Sequence, residues 1–565
     1  MRESFYLNKN TALINFSQRY YSTTNEIVSS DSFKGVILSY IKKVQADYPN
    51  LHAYVVGGKS NEEAADNLVH LLKLLLVLEL DEIDSPYLKQ PEKLLEVVED
   101  VYNYWRSFQR CTIIKQSSSQ GNLITNFIDA DTKFNSLILS VYRSAQEKIQ
   151  GSRNHVYRQL NAGSNASMVV RDIKWSILPG YEVAKGIPFI DSILLRTPLL
   201  LHPKSTTRSG SFKLVSPISV AQLPVNKDEY FCYPAKVGQL LIFINFHRDF
   251  TFSGISLANL FELAEQKEVL KRKPDCILFF GVKTGETECT YFYDDSNRVY
   301  TGVVPYQPRI DYFGYMKKMV LTLHNAAMMR KGRLPLHGSM VNLHFKDGTV
   351  KGLIFIGDSG AGKSETIEAI EMLKHPQLAK IDVIFDDMGT LHLENGKVVA
   401  QGTEIGAFVR LDDLDAGSPY KNMERSIFMN PETANARVII PVSTYAQITK
   451  NHPVDYFLYA NNYDNKEGMH LANRALDMKD TFIMGKRMAL GTTDESGVST
   501  TYFANPFGPM QEQELCDHLI DQYFEALDHD GVLTGEVYTG LGVKEMGMDH
   551  LYKTAKAILS DVYKK

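Results

Sequence analysis

Residues 357–364 read GDSGAGKS, and the chemistry this spacing serves is the binding of a polyphosphate. In a G-x-x-x-x-G-K-S loop the glycines let backbone N–H groups curl round phosphate oxygens, the lysine reaches the β- and γ-phosphates, and the hydroxyl takes Mg²⁺. Gly357, Asp358, Ser359, Gly360, Ala361 and Gly362 form the expected cradle, Lys363 is the phosphate lysine and Ser364 the Mg²⁺ ligand. The apolar run GLIFI before the loop and TIEAIEML after it supply the strand and helix such a loop needs, and the helix N-terminus adds its partial positive charge. A nucleoside triphosphate is the expected ligand. The alternative, a tight turn before a helix, does not account for both flanks.

A triphosphate site needs an acidic residue to complete the metal shell, and IDVIFDD places Asp386 and Asp387 directly after an apolar run. One carboxylate can coordinate a divalent cation while the other orients water or assists proton transfer. Taken alone, an Asp pair is as readily a solvated turn or a helix cap. Upstream, LPLHGSM carries His337 and YFGYMKKM carries Lys317 and Lys318. An imidazole is a good transition-metal ligand, and a lysine beside another cation has its pKa pushed down, so a neutral amine can also coordinate.

The elements that must position these groups follow from composition and pattern. A chain of 565 residues suggests roughly two to four domains and supports a large core. Helical periodicity, as in EKLLEVVEDVYNYW, runs over residues 60–150 and gives a helical N-terminal extension over 1–150; β-rich runs such as QLLIFINF and CILFFGV between about 165 and 310 mark an α/β domain over 151–310; and strands interspersed with helices fill 311–565. With 61 basic and 66 acidic residues, no polyanionic partner is called for, and nucleic acid is not an expected ligand. Cys111, Cys232, Cys276, Cys289 and Cys516 are odd in number and widely spaced, which argues against a disulfide framework or a thiolate metal site. MRESFYLNKNTALINF lacks a signal-type apolar segment. The stretch LVHLLKLLLVLEL is broken by His70, Lys73 and Glu79, so it reads as a core helix and not a membrane span. A cytoplasmic protein without membrane or nucleic-acid partners is the expectation.

The order YFGYMKKM, LHGSM, GDSGAGKS, FDDM, GAFVR, NARVIIP, GTTDESGVSTTYFANPFG and YTGLGVKEMG resembles the block order of the phosphoenolpyruvate carboxykinases, chiefly the ATP-dependent branch, over residues 310–565. The resemblance implies an α/β fold with a P-loop nucleotide domain built on a mixed sheet, an N-terminal substrate-like α/β domain and a helical extension. It implies ATP and Mg²⁺, with Mn²⁺ held by Lys318, His337 and Asp387, and oxaloacetate and phosphoenolpyruvate as substrate and product. It further implies that Lys317 is the second lysine of the pair, that Arg410 and Arg437 contact the transferred phosphoryl group, and that Tyr312 lies near the substrate carboxylate. TTRSGSFK would make Arg208 the carboxylate-binding arginine.

The loop itself, with Asp358, Ser364 and Glu365, is more similar to that of HPr kinase/phosphorylase, a shorter P-loop family that phosphorylates a protein serine. The carboxykinases also have a base-side arginine in a G-T-E-R-G segment where this chain has Asp494, Glu495 and Ser496; they have glycine at Met319 and cysteine at Gly338. A kinase with another acceptor and an inactive ATP-binding module therefore stand as alternatives. Residues 1–150 have no counterpart in the resemblance.

Overall fold

The computed structural model describes residues 3–564 apart from 9, 117–123, 154–159, 412–422, 434, 491–495 and 544–547. By contacts the chain divides into two compact units, Met1–Asp172 with Ile190–Arg196, and Ile173–Phe189 with Thr197–Lys565. Residue 310, where the sequence pattern changes, lies inside the second unit. Among the described residues no helix is long and apolar enough to cross a membrane.

In the first unit the long helices Asp31–Asp47, Asn61–Leu75, Pro91–Ser107 and Ile124–Gln150 bury a shared apolar core that includes Ile37, Ile41, Leu68, Leu75 and Leu94. Ser60 starts the second of them: its side chain accepts from the Glu63 N–H while the Glu63 carboxylate returns to the Ser60 N–H. The stretch 68–80 is thus helical core over most of its length. The helical extension expected over 1–150 also contains strands, however. Thr11–Asn15 runs parallel to Gln109–Gln116, which in turn runs parallel to Ala166–Arg171. TALIN is buried at every position, and a short strand covered on both faces has no alternation by which sequence could tell it from a helix.

The second unit is mixed α/β. One sheet has the order His452–Pro453, Lys397–Gly402, Leu378–Glu394, Leu334–Phe345, Val350–Ile356, Tyr456–Asn461, Leu533–Tyr538 and Met469–Leu471. The central Val350–Ile356, Tyr456–Asn461 and Leu533–Tyr538 are parallel, and the outer pairs are antiparallel. Alternate residues feed two cores. Met340, Ile354 and Ile356 pack with helix Gln513–Asp530, whereas Val341, Leu353 and Phe355 pack with helices Lys363–Met372 and Met548–Lys564.

A second sheet in this unit contains Tyr230–Val237, Leu240–His247, Cys276–Val282, Val299–Pro305 and Thr290–Asp294. Helix Gly314–Arg330 packs against it and against strand Leu334–Phe345, so nearly every residue of that helix is buried. A small sheet joins Gly406–Arg410, Arg437–Pro441, Ile427–Met429 and Leu199–Leu201. Lastly, Lys486–Leu490 and Ser496–Thr500 form a two-stranded hairpin.

Candidate functional site: a glycine-rich loop beside a lysine, histidine and aspartate cluster

The loop GDSGAGK joins strand Val350–Ile356 to helix Lys363–Met372 at the C-terminal end of the parallel strands, where open α/β sheets place their ligands. Its glycines have separate reasons to be glycine. Gly362 has φ +94°, and a Cβ there would lie 2.7 Å from the Thr539 Cβ; Gly357 lacks the room because a Cβ would meet that of Ala361 at 2.7 Å. The Lys363 ammonium folds back to donate to the Asp358 carbonyl at 3.1 Å. Asp358 is buried, and burial would raise its carboxyl, but His337, Arg487, the Ser359 N–H and Lys363 outweigh this and lower it.

The two adjacent aspartates serve different neighbours. Asp386 accepts from the Ser364 hydroxyl, at 3.1 and 3.2 Å, and from the Ser339 hydroxyl. Asp387 has φ +122°, an unfavourable conformation for a residue with a side chain, and its carboxylate collects Lys317 Nζ at 2.6 Å, Lys318 Nζ at 2.6 Å and His337 Nε2 at 3.1 Å. Lys318 and His337, from helix Gly314–Arg330 and strand Leu334–Phe345, therefore both reach Asp387 of strand Leu378–Glu394. The glycine after His337 follows from the same strand pairing, since a Cβ at Gly338 would lie 2.5 Å from the Phe355 carbonyl oxygen.

Electrostatics divide the lysines. Burial would lower Lys317, yet Asp387 and Glu404, whose Oε1 is 3.0 Å away, raise it and keep it an ammonium ion. Burial lowers Lys318 to about 8, with Asp387 opposing and Lys317 reinforcing the fall. Desolvation, rather than the neighbouring cation that the sequence suggested, is the larger cause. Burial would raise Asp387 as well, but the Lys317 and Lys318 ammonium groups hold it well below the usual carboxylate range.

The His337 ring tests whether these groups fit a cation. Its Nδ1 lies 2.7 Å from the Ala504 carbonyl, which can only accept, so Nδ1 carries the proton. Burial lowers the imidazole pKa and favours the neutral ring, so the Nε2 lone pair is left facing the Asp387 carboxylate. Two acceptors 3.1 Å apart, with an amine beside them, are a donor set for a divalent cation. Among the described residues no group of three or more His, Cys, Asp or Glu side chains is placed to hold a metal. The Lys318 amine is thus essential to this set. Ser364 with Asp386 makes a second, all-oxygen position of the kind Mg²⁺ prefers.

Around this cluster stand the other cations. The Arg208 guanidinium and the Lys318 ammonium share the Phe507 ring, at 5.3 and 4.5 Å from its centroid. Lys317 and Arg437 flank the Phe408 ring at 5.5 and 5.9 Å. Tyr312 lies 6.0 Å from the same ring. Burial raises the Tyr312 hydroxyl, opposed by Arg437, Lys317 and Arg208. Arg410 stands opposite Arg437 in the antiparallel pair.

Sequence reasoning did not find Glu404, Phe408, Phe507 or Arg487. Glu404 is 2% exposed, and burial pushes its carboxyl up to about 7 despite Lys317. Its signal lay in GTEIGAF, where an isolated Glu precedes a short, mainly apolar strand. Asp494 and Glu495, on the base-side segment, lie outside the described residues. Compared with known proteins, the chain matches no family model and no curated protein.

Proposed function

We propose that the chain transfers the γ-phosphoryl group of ATP to an enolate formed by decarboxylating oxaloacetate, giving phosphoenolpyruvate, CO₂ and ADP. The observation that carries this reading is the convergence of Lys318 and His337 on Asp387, next to a glycine-rich loop whose Ser364 meets Asp386. Mn²⁺ between the amine, imidazole and carboxylate and Mg²⁺ at Ser364 and Asp386 would supply Lewis-acid stabilisation of the charge that develops during both half-reactions.

The chain's own residues do the remainder. Arg208, Tyr312 and Arg437 present cations and a hydroxyl to a carboxylated substrate, and the Phe408 and Phe507 rings give them a low-dielectric wall. Cleavage of the bond to the departing carboxylate leaves its electron pair as an enolate, whose charge the fixed Lys317 ammonium and Arg208 stabilise. The enolate oxygen then attacks phosphorus, the bond to the ADP oxygen breaks, and Lys363, Arg410 and Arg437 spread the charge on the phosphoryl oxygens. No proton or electron need be supplied from outside.

The test is ADP formation from ATP with Mg²⁺ and Mn²⁺, with and without oxaloacetate. Dependence on oxaloacetate, accompanied by CO₂ release and abolished by His337→Ala and Lys318→Ala, is the expected result. ADP formation only with another acceptor would favour a kinase of the HPr kinase type, and ATP binding without turnover an inactive module.

A further inference from the structure

Three successive carbonyls of the glycine-rich loop are gripped from outside by side chains. Ser359 O accepts from an Arg487 Nη, Gly360 O from Asn462 Nδ2 at 2.9 Å, and Ala361 O from Thr539 Oγ1 at 2.8 Å. Carbonyls held outward leave the intervening N–H groups turned inward, which is the concave arrangement that binds anions. Asn462 directly follows strand Tyr456–Asn461 and Thr539 directly follows strand Leu533–Tyr538, so two anchors come from the sheet. The third, Arg487, comes from the hairpin.

Arg487 differs from the other two because it also meets a charge. It is 2% exposed, and its Nε lies 3.1 Å from Asp358 Oδ2. Thr501, which follows the second hairpin strand, donates to the same oxygen at 3.0 Å. The Ser359 N–H takes the other carboxylate oxygen at 2.7 Å. A carboxylate in the second position of a polyphosphate cradle repels its ligand unless it is neutralised and turned aside, and Arg487 does both.

We infer that Arg487 is a positioning residue for the nucleotide: it holds the loop open through Ser359 and masks the negative charge of Asp358 from the phosphates. This rests on the proposal that the loop binds ATP. It makes the hairpin that carries Arg487 and Thr501 part of the nucleotide site. Charge-assisted hydrogen bonds of this kind correspond to roughly 10- to 100-fold in an equilibrium constant.

The experiment is MgATP binding by calorimetry to the full chain and to Lys363→Ala, Arg487→Met, Arg487→Lys, Asp358→Asn and the Asp358→Asn/Arg487→Met pair, each checked by circular dichroism. Arg487→Met is expected to weaken binding by at least about 10-fold, whereas Arg487→Lys, which keeps the charge, loses less than about threefold. Asp358→Asn alone tightens binding, and in its background Arg487→Met loses clearly less than it does in the unaltered chain, because the contact to the Ser359 carbonyl is still lost but there is no charge left to mask. Wild-type binding by Arg487→Met overturns the inference, as does an equal loss in both backgrounds. Should Arg487→Met not fold, weaker binding by Asp358→Asn overturns it and tighter binding sustains it. If the unaltered chain and Lys363→Ala bind MgATP equally or not at all, the nucleotide reading itself fails; if Lys363→Ala alone loses binding, only the role of Arg487 falls.

Discussion

The proposed coordination of Mn²⁺ by Lys318 would require the amine to shed its proton, so binding should depend on pH in a way that the site's burial fixes. An ordinary lysine, at 10.5, has about one amine in three thousand free at pH 7; at about 8, the value in this site, about one in ten is free. Burial therefore makes the amine about 300-fold more available at neutral pH. The sign follows directly: below about 8 the ammonium must lose a proton for the metal to enter, so affinity rises close to tenfold per pH unit, and above about 8 it levels off. His337 does not add a second step near neutrality, because burial already favours its neutral form. Titration of Mn²⁺ followed by loss of its free electron-paramagnetic signal, at intervals from pH 6 to 9, measures the slope. Calorimetry in buffers of different ionisation enthalpy should count about one proton released per Mn²⁺ at pH 7. Lys318→Met should bind at least tenfold more weakly and lose the slope. Affinity that is flat from pH 6 to 8, or a slope that survives Lys318→Met, would refute the assignment of the amine as a ligand.

The remaining expectations concern neighbouring residues. Burial holds the Glu404 carboxyl at about 7 in the folded chain against an ordinary 4.5, so its contribution to stability is full below 4.5 and is lost as pH rises through 7; Glu404→Gln should flatten the pH dependence of the unfolding free energy over that window by about 3 kcal/mol. An unchanged pH profile would remove Glu404 from the buried charge cluster. Gly362→Ala forces a Cβ onto a residue with φ +94° and against Thr539, so it should cost about 1–3 kcal/mol and abolish MgATP binding, whereas Gly348→Ala, also at positive φ but with open space around it, should cost stability without touching nucleotide binding. Phe507→Leu removes the ring under Arg208 and Lys318 and should raise KM for oxaloacetate about three- to tenfold with little change in nucleotide KM; an effect confined to the nucleotide would place Phe507 elsewhere in the cycle.

What could be read from the chain depended on whether chemistry or packing wrote it. The spacing from Gly357 to Ser364 matches a glycine-rich phosphate-loop pattern, so loop, strand and helix were legible, and Lys318, His337, Asp386 and Asp387 could be singled out by their order around it. Phe408 and Phe507 lie as rings beneath cations, and an aromatic residue in an apolar stretch does not announce that use. Arg487 was hidden for a similar reason: its partner Asp358 is far away in sequence, and only the hairpin brings them together. Helix Gly314–Arg330 is covered on nearly all sides and so carries little amphipathic pattern, although it delivers both lysines. In the first unit, Thr11–Asn15 and Gln109–Gln116 were masked by the strong periodicity of the helices between them.

In the proposed reaction one cradle decarboxylates and phosphorylates the same molecule. Phosphorus NMR of the full chain incubated with oxaloacetate, MgATP and Mn²⁺ tests it most directly. ATP should give way to ADP and phosphoenolpyruvate in equal amounts, with neither formed by His337→Ala. ATP that persists beside oxaloacetate, or ADP that accumulates with inorganic phosphate and no phosphoenolpyruvate, would contradict it.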